Sequence, residues 1–314
     1  MKFFFKKLIT LIITLLIISF LTFTAFSVIP GDASLTRLGK DATTEQINAL
    51  REEMGLNDPL MVRYGHWISN AVRGDFGDSY HYEATSVRSL LSDRLPVTVL
   101  LAVMALIIIL VFSIPLGIAS ARFSGKCLDV VTNQLTQIIM AVPPFFLGII
   151  LTYVFGLVLH LFQPGKFVQP TDDLMESIKY LLFPALAIAL PKIAMVVKFL
   201  RNSVLSELKQ DYVRTAYSRG NSENRVLYVH VLKNAMIPVI TFIAMVIAEI
   251  LAGSIIVEQV FSVPGVGRLL IGAISNRDYP VVEAVILYVT TVVVVINFIV
   301  DILYQFLDPR VRTS

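Results

Sequence analysis

The sequence predicts an all-α integral membrane protein with six transmembrane helices, because of its composition and its long apolar segments. Hydrophobic residues make up 56% of the 314 residues and charged residues only 16%, whereas a soluble domain usually carries about 25% charged residues. The mean hydropathy is +0.75. A transmembrane helix needs about 20 apolar residues, and six segments reach that length. They cover residues 8–29, 97–120, 132–160, 180–200, 237–257 and 281–306.

Helices are predicted because backbone polar groups inside a bilayer must be hydrogen-bonded within their own segment. The alternation over about ten residues that is typical of membrane barrel strands does not recur. The first segment follows Lys2, Lys6 and Lys7, so a signal peptide is the alternative to a retained span. Its 22 apolar-rich residues exceed the usual signal core of about 7–15 residues. We therefore interpret it as a retained first span.

The distribution of lysine and arginine predicts the orientation of the spans. With the N-terminus inside, the inner side carries 14 of these residues and the two short outer loops carry 4. This asymmetry places both termini in the cytoplasm. The chain is then predicted to comprise a first transmembrane helix with a structured extracytoplasmic loop, 1–96, and a membrane domain, 97–314. The membrane domain includes a cytoplasmic pair of helices at 202–236.

The long outer loop carries the signals of two helices. Thr43 and Gln46 have the spacing of a capping box, and Gly55 supplies a stop. Asp58-Pro59 then opens a second helix, with Pro at its first position, and Gly74 ends it. The apolar stripe of this second helix favours packing against the bundle or the membrane surface. The alternative is a docking surface for an extracytoplasmic partner.

The sequence lacks the usual patterns of catalytic, cofactor and metal sites. Three Gly-Lys pairs occur, but none has the spacing of a P-loop, and there is no G-x-S-x-G or H-E-x-x-H pattern. Cys127 is the only cysteine, and the four histidines have no metal-ligand spacing. We therefore predict that the chain is not an enzyme and binds neither cofactor nor metal. Transport, channel formation and scaffolding remain.

Three charged residues in or near the spans are candidates for lining a translocation path, namely Glu249, Lys192 and Asp301. Charge inside a bilayer is costly unless it is paired or hydrated, so each marks a candidate functional site. The alternatives are specific. Lys192 could extend to the inner surface, Asp301 could be solvated near the interface, and Glu249 could serve helix packing or subunit contact.

The polar segment between the fourth and fifth spans predicts two helices at a corner. Residues 202–219 form the first predicted helix, and Gly220 suits the left-handed conformation at its end. Asn221 or Ser222 can cap the second helix, which continues into the fifth span. The physical pattern leaves two interpretations open, an interfacial linker and a protein-docking element.

This segment resembles the cytoplasmic docking motif of ABC-importer permeases, which reads Glu-Ala-Ala, three residues, Gly, nine residues, Ile-x-Leu-Pro. Arg214-Thr215-Ala216 occupies the first triplet, Gly220 falls at the required distance, and Leu232 matches. His230 stands at the Ile position and Lys233 at the Pro position. These departures are typical of the B-type permeases of the dipeptide/oligopeptide/nickel family, as are Asn234-Ala235 and Pro238.

Other stretches resemble the same branch, so the likeness covers nearly the whole chain. They are GLNDPLMVRYGHWISNAVRGDFGDS (55–79), LPVTVLLAVMALIIILVFSIPLGIASAR (95–122), VPPFFLGI (142–149), VEQVFSVPGVGRLLIGAISNRDYPVV (257–282) and DILYQFLDPRVR (301–312).

The resemblance implies the type I ABC importer permease fold in a bacterial cell membrane. It implies a C-type permease partner, two cytoplasmic ATPases that bind ATP and Mg, an extracytoplasmic substrate-binding protein, and no nucleic acid. The residues implied for ATPase coupling are Arg214, Thr215, Ala216, Gly220, Asn221, Ser222, His230 and Asn234. Those implied for contact with the binding protein are Val263, Pro264, Gly265, Val266, Gly267 and Arg268.

Peptides are the expected cargo, with nickel, metallophore complexes or another small solute as alternatives within the family. A secondary carrier or channel that needs no ATPase is the alternative class, and a membrane scaffold is a third. The collinear motifs favour the ABC importer. For the turn at 263–268, the alternative is a short re-entrant cap without a partner.

Overall fold

A computed structural model describes residues 2–28, 43–53, 55–82 and 85–307. Helices dominate these residues, and their β-structure is one isolated bridge between Asp78 and Ser86. The helices are α1 (Lys2–Val28), α2 (Thr44–Glu53), α3 (Leu60–Val72), α4 (Val87–Arg122), α5 (Cys127–Ala141), α6 (Pro144–Val158), α7 (Leu174–Glu207), α8 (Asp211–Ser218), α9 (Glu223–Val260), α10 (Val266–Ser275) and α11 (Tyr279–Leu307). Residues 308–314, which carry Arg310 and Arg312 of the charge count, lie outside the described residues.

Five of the described helices are long and apolar enough to cross a membrane, namely α1, α4, α7, α9 and α11. They coincide with five of the six predicted segments, and the all-α membrane architecture is therefore confirmed. The helices extend beyond the apolar segments, as in α4, whose first ten residues precede the predicted start at 97. The positions of the termini relative to the membrane stay a prediction.

The predicted third span, 132–160, is not one continuous helix. Helices α5 and α6 are bent by 97° at a short break, and they make a sixth span only if taken together. Pro143 and Pro144 explain the break, because proline lacks the N–H donor and clashes with the preceding helical turn. The residue before a proline is also driven to extended geometry, and Val142 has φ −95° and ψ 123°.

The chain forms two compact units. Unit 1 comprises the residues up to Thr98 together with Pro264–Phe298, and unit 2 comprises Val99–Val263 with the residues from Ile299 onward. Helices α4 and α11 each run from one unit into the other.

The core of unit 1 joins the start of α4 to α10 and α11. Its fully or almost fully buried members include Val87, Val266, Val281 and Val282. Asp278, just before α11, is also buried. Its carboxylate accepts hydrogen bonds from the Ser79 hydroxyl and, at 3.0 Å, from the Tyr80 N–H. These bonds tie the loop before α4 to the start of α11.

The outer-loop helices form largely as the sequence predicts. The Thr43 N–H donates to Gln46 Oε1 at 3.0 Å, and the Gln46 N–H donates to Thr43 Oγ1 at 3.3 Å, so the capping box is confirmed. Gly55 and Gly74 adopt φ of 63° and 79°, which fits their predicted role in ending helices. Pro59, however, is the residue before α3 rather than its first helical residue.

Helix α3 packs against α1, as the favoured interpretation of its apolar stripe predicts. The hydroxyls of Tyr64 and Ser19 are 2.8 Å apart. The Phe23 ring lies 5.7 Å from the Tyr64 ring and 5.6 Å from the Trp67 ring, between centroids. A docking role for the rest of the loop stays a prediction.

The core of unit 2 contains a close contact between α4 and α7. A Cβ added at Gly117 of α4 would lie 2.8 Å from Leu200 Cδ2 of α7. Helices α7 and α9 also pack along each other, and Ser203 of α7 donates to the Ala235 carbonyl of α9 at 2.8 Å. Both helices contain proline, at Pro184, Pro191 and Pro238.

Candidate functional site

The polar segment after the fourth span forms a corner, which we call the Gly220 corner and which comprises α8, residues 219–222 and the first two turns of α9. The predicted helix over 202–219 is wrong, because α7 ends at Glu207 and a turn at residues 208–210 separates it from α8. Gln210, with φ −75° and ψ 150°, makes the change of direction.

The turn lets α8 bury its apolar side. Val213 and Ala216 of α8 are buried in the same cluster as Val226, Leu227 and Val231 of α9. Full burial of a valine or leucine side chain is worth about 1.5–3 kcal/mol. This gain in free energy favours a turn that packs α8 against α9 over the straight helix that local propensity predicts.

The turn is also tied to the end of α7. The Tyr212 hydroxyl donates to Glu207 Oε2 at 2.7 Å. Burial raises the pKa of the Tyr212 phenol, and the bond to the Glu207 carboxylate raises this pKa further. The start of α8 is therefore held against the last residue of α7 by a neutral, hydrogen-bonded phenol.

Gly220 has the predicted left-handed conformation, with φ 78°. Its N–H donates to the Tyr217 carbonyl at 2.9 Å. A Cβ added at Gly220 would meet nothing within 4 Å, so the positive φ favours glycine here and the packing within this chain does not demand it. The space around the corner is open.

The two predicted capping residues have different roles. The Asn221 side chain donates to the Ala216 carbonyl at 2.9 Å and therefore closes α8 rather than opening α9. Ser222 precedes α9 with φ −67° and ψ 155°, but its side chain makes no capping hydrogen bond. The next turn of α9, Val226–Val231, is π-helical.

The surface of the Gly220 corner combines most of the coupling residues with apolar side chains. Of the coupling residues, Ala216 is buried, Asn221 and His230 are partly exposed, and the others are exposed, namely Arg214, Thr215, Gly220, Ser222 and Asn234. Three exposed apolar or aromatic residues were missed by the sequence analysis, namely Tyr217, Tyr228 and Val229. The signal was available, because these residues fall off the helical stripe that forms the core.

A buried carboxylate links the helices beside the corner in unit 2. Asp129, in the first turn of α5, is 3% exposed. It accepts hydrogen bonds from Arg201 Nε at 2.5 Å, Arg201 Nη2 at 2.8 Å, Ser120 Oγ at 2.6 Å and the Gly125 N–H at 2.9 Å. We call this group the Asp129 clamp. It joins the end of α4, the start of α5 and the end of α7.

The Asp129 clamp was not predicted from the sequence, in which Arg201 counts only as a positive charge and Asp129 has no assigned role. One local signal existed, since the acid follows Gly125 by four residues and can reach back to the turn. The partner on α7 is 72 residues away, and nothing in local spacing predicts it.

The structure brings together two of the three candidate path residues. The Lys192 ammonium of α7 contacts the Glu249 carboxylate of α9 directly. The ammonium therefore does not extend to the helix end. The side chain of Lys192 is 16% exposed and that of Glu249 is 49% exposed, so the acid faces outward from this chain. Asp301, on α11, is not part of this pair.

Two further acids in or beside the apolar segments were missed. Glu258 near the end of α9 is fully buried, and Glu283 near the start of α11 is 8% exposed. Glu283 lies inside the predicted sixth span, 281–306, although it was not among the three candidate path residues.

The turn from Val263 to Arg268 is largely packed inside the protein. Val263, Gly265, Val266 and Gly267 are buried, and the Val266 N–H donates to Thr98 Oγ1 at 2.9 Å. These residues shape the turn. Exposed surface remains on Arg268 and, in part, on Pro264, and contact with a binding protein stays a prediction.

Comparison with known proteins gives matches along almost the whole chain. Residues 113–313 match the family described as binding-protein-dependent transport system inner membrane component. Residues 1–102 match the family of the N-terminal part of such membrane components.

Similar proteins match this chain over almost their whole length and are named as permeases. The probable peptide ABC transporter permease protein y4tP of Sinorhizobium fredii is 34% identical over 307 residues, 98% of each chain. The oligopeptide transport system permease protein AppB of Bacillus subtilis is 37% identical over 300 residues, 95% of each chain. The dipeptide transport system permease protein DppB of Alkalihalophilus pseudofirmus is 32% identical, with 98% of each chain covered.

Proposed function

Because this chain belongs to the family of inner membrane components of binding-protein-dependent transport systems, we propose that it is a permease subunit of an ATP-driven importer of peptides. The observation that supports this most is the likeness over 95–98% of the chain to proteins named as peptide, oligopeptide and dipeptide permeases. The chain would act with a second permease, two cytoplasmic ATPases that bind ATP and Mg, and an extracytoplasmic binding protein.

The Gly220 corner is the element that we assign to the ATPase. It exposes polar residues and three apolar or aromatic ones, a combination suited to a protein interface. Its buried side is continuous with the core of unit 2. A movement imposed on the corner would therefore reach α7 and α9 directly.

The Asp129 clamp would make this transmission stiff. Alternating access moves packed helices as largely rigid bodies. A carboxylate held by a bidentate guanidinium, a hydroxyl and a backbone N–H resists separation of α4, α5 and α7. We assign Asp129 and Arg201 a positioning role.

We assign the Lys192–Glu249 pair either to the translocation path or to the surface of this chain that contacts the second permease. A half-exposed carboxylate in a membrane helix is costly against lipid. Water in a path or polar groups of a partner subunit would lower this cost. The pair would then lie on the side of α7 and α9 that faces away from lipid.

The role of the corner is tested by substitutions at Gly220. Gly220→Trp should abolish copurification of the ATPases and ATP-dependent uptake, because it adds bulk at the interface and strains the turn. Gly220→Asn should retain much of both, since asparagine tolerates positive φ. Gly165→Trp is the matched control, because Gly165 also has positive φ and open space. Normal copurification and uptake with Gly220→Trp would contradict the assignment.

The substrate class is tested in proteoliposomes that contain the complete transporter and its binding protein. A mixture of short peptides should be taken up only with ATP, and peptides should be the ligands that mass spectrometry finds on the binding protein. Uptake of nickel without uptake of peptides would contradict the peptide assignment and leave the ABC importer assignment intact.

A further inference from the structure

Unit 1 contains an apolar cavity that the proposed transport function does not use. Its volume is about 650 Å³, and α1, α3, α4 and α11 form its walls. Apolar side chains such as Leu16, Ile68, Leu91, Leu95 and Leu287 dominate these walls. Thr291, the deepest wall residue on α11, is about 18 Å from the start of that helix, at 1.5 Å per residue. The cavity therefore reaches into the membrane-spanning part.

Two of the residues that line the cavity are basic. Arg73 follows the last turn of α3, and Arg88 is the second residue of α4. Both residues are exposed. Within the described residues, neither guanidinium has an ion-pair partner, and no acidic residue lines the cavity. The positive charge of these two arginines is thus not compensated by the cavity wall.

A cavity with an apolar wall and two guanidinium groups is suited to bind an amphiphilic anion. Apolar cavities stay dry and accept apolar ligands, and the hydrocarbon around membrane helices supplies acyl chains. Guanidinium groups bind phosphate through paired, charge-assisted hydrogen bonds. Two guanidinium groups beside membrane helices can bind the phosphate of an anionic lipid head group in this way.

We propose that this cavity is a binding site for an anionic phospholipid. One acyl chain lies between α1, α4 and α11, and the head-group phosphate lies between Arg73 and Arg88. The bound lipid fills the space between α1 and α11 and so stabilises the packing of α1 against the rest of unit 1. The inference does not depend on what the protein transports.

The test uses the full chain, purified with the subunits that copurify with it, in nanodiscs of equal parts phosphatidylglycerol and phosphatidylcholine. Native mass spectrometry counts the lipids that remain after the disc is removed. Wild type should retain phosphatidylglycerol in preference. A photoreactive phosphatidylglycerol with its label on the acyl chain should crosslink to α1, α4 or α11.

Two variants distinguish the contribution of the two arginines to lipid retention from that of the apolar cavity. Arg73→Gln/Arg88→Gln should lower phosphatidylglycerol retention about tenfold, the effect of losing charge-assisted hydrogen bonds worth about 1.4 kcal/mol or more. Ser92→Phe keeps both arginines and fills the cavity from an exposed wall position, and it should lower retention and crosslinking. Arg94→Gln is the matched control, because Arg94 lies on the same helix outside the cavity wall.

Each of three results would overturn the proposal. They are equal retention of both lipids by wild type, undiminished retention in either variant, and crosslinking of the labelled lipid to another subunit in place of α1, α4 or α11. Melting temperatures of all variants distinguish lost lipid from lost fold, and Arg73 and Arg88 are exposed enough for their substitution to spare the core.

Discussion

The guanidinium of Arg201 donates two hydrogen bonds to the carboxylate of Asp129, at 2.5 Å from Nε and 2.8 Å from Nη2. The side chain of Asp129 is 4% exposed and that of Arg201 is 18% exposed. Removing one partner of such a pair leaves a buried charge uncompensated, at a cost of about 3–5 kcal/mol. Removing one of the two side chains should therefore destabilise the protein more than removing both.

Asp129→Asn should therefore lower the melting temperature of the purified protein and reduce ATP-dependent uptake. The double variant Asp129→Asn/Arg201→Gln should be less destabilised than the sum of the two single variants, because it leaves no unpaired charge. Thermal unfolding followed by fluorescence measures the stability of the single and double variants, and an uptake assay measures transport. Additive losses would show that the two side chains do not interact in the folded protein.

Gly117 and Leu200 give a second test of the packing in unit 2. A Cβ at Gly117 would approach Leu200 Cδ2 at 2.8 Å and Leu200 Cγ at 3.0 Å, which is closer than atoms pack without displacement. Gly117→Val should destabilise the protein by about 1–3 kcal/mol, the usual effect of overpacking. The free energy of unfolding, or the melting temperature where unfolding is irreversible, measures the change.

The control for this prediction is Gly253→Val, because a Cβ at Gly253 of α9 meets nothing within 4 Å. Adding Leu200→Ala to Gly117→Val should recover part of the loss by vacating the space. If Gly117→Val and Gly253→Val prove equally stable, α4 and α7 do not approach closely at Gly117.

Local signals predicted much of this fold, and long-range contacts decided the rest. Gly220 and the Thr43–Gln46 capping box depend on a few neighbouring residues, and both form as predicted. The prediction of a straight helix over 202–219 was wrong because burial of Val213 against α9 competes with local helix propensity. The prediction of a continuous third span was wrong at Pro143-Pro144, because the apolar run drew attention away from the two prolines.

The candidate site follows the same division. The sequence located Lys192 and Glu249 separately, as charges in apolar segments. Their contact joins residues 57 positions apart, and no local pattern pairs them. Asp129 was missed because its partner, Arg201, is 72 positions away in the sequence.

The Lys192–Glu249 pair predicts an effect of charge balance on transport. Lys192→Met and Glu249→Gln each leave one charge unpaired in the membrane and should reduce both protein level and uptake. The double variant should recover protein level beyond either single variant. Lys192→Glu/Glu249→Lys should recover it as well, since opposite charges would still meet.

Membrane protein level by immunoblotting and peptide uptake into proteoliposomes separate packing from transport. A double neutral variant with normal level but impaired uptake would support a role in the path. Normal level and normal uptake in both single variants would show that the two charges do not depend on each other.

The hydrogen bond from Tyr212 to Glu207 predicts an alkaline limit for the Gly220 corner. Burial and the neighbouring carboxylate raise the pKa of Tyr212, so the folded protein holds this proton more tightly than the unfolded chain does. The stability that the phenol contributes is then fully present below the ordinary tyrosine pKa of about 10. It is lost as the pH rises through the higher pKa of the folded state. Melting temperatures should therefore fall more steeply at alkaline pH in wild type than in Tyr212→Phe.

Tyr212→Phe should lower stability below pH 10 by about 1.5–3 kcal/mol, the net contribution of a hydrogen bond to a charged group, and flatten the alkaline decline. Tyr217→Phe is the matched control, because Tyr217 lies on the same short helix and is exposed. It should keep the wild-type pH dependence. Identical alkaline profiles for wild type and Tyr212→Phe would show that this phenol does not hold α8 against the end of α7.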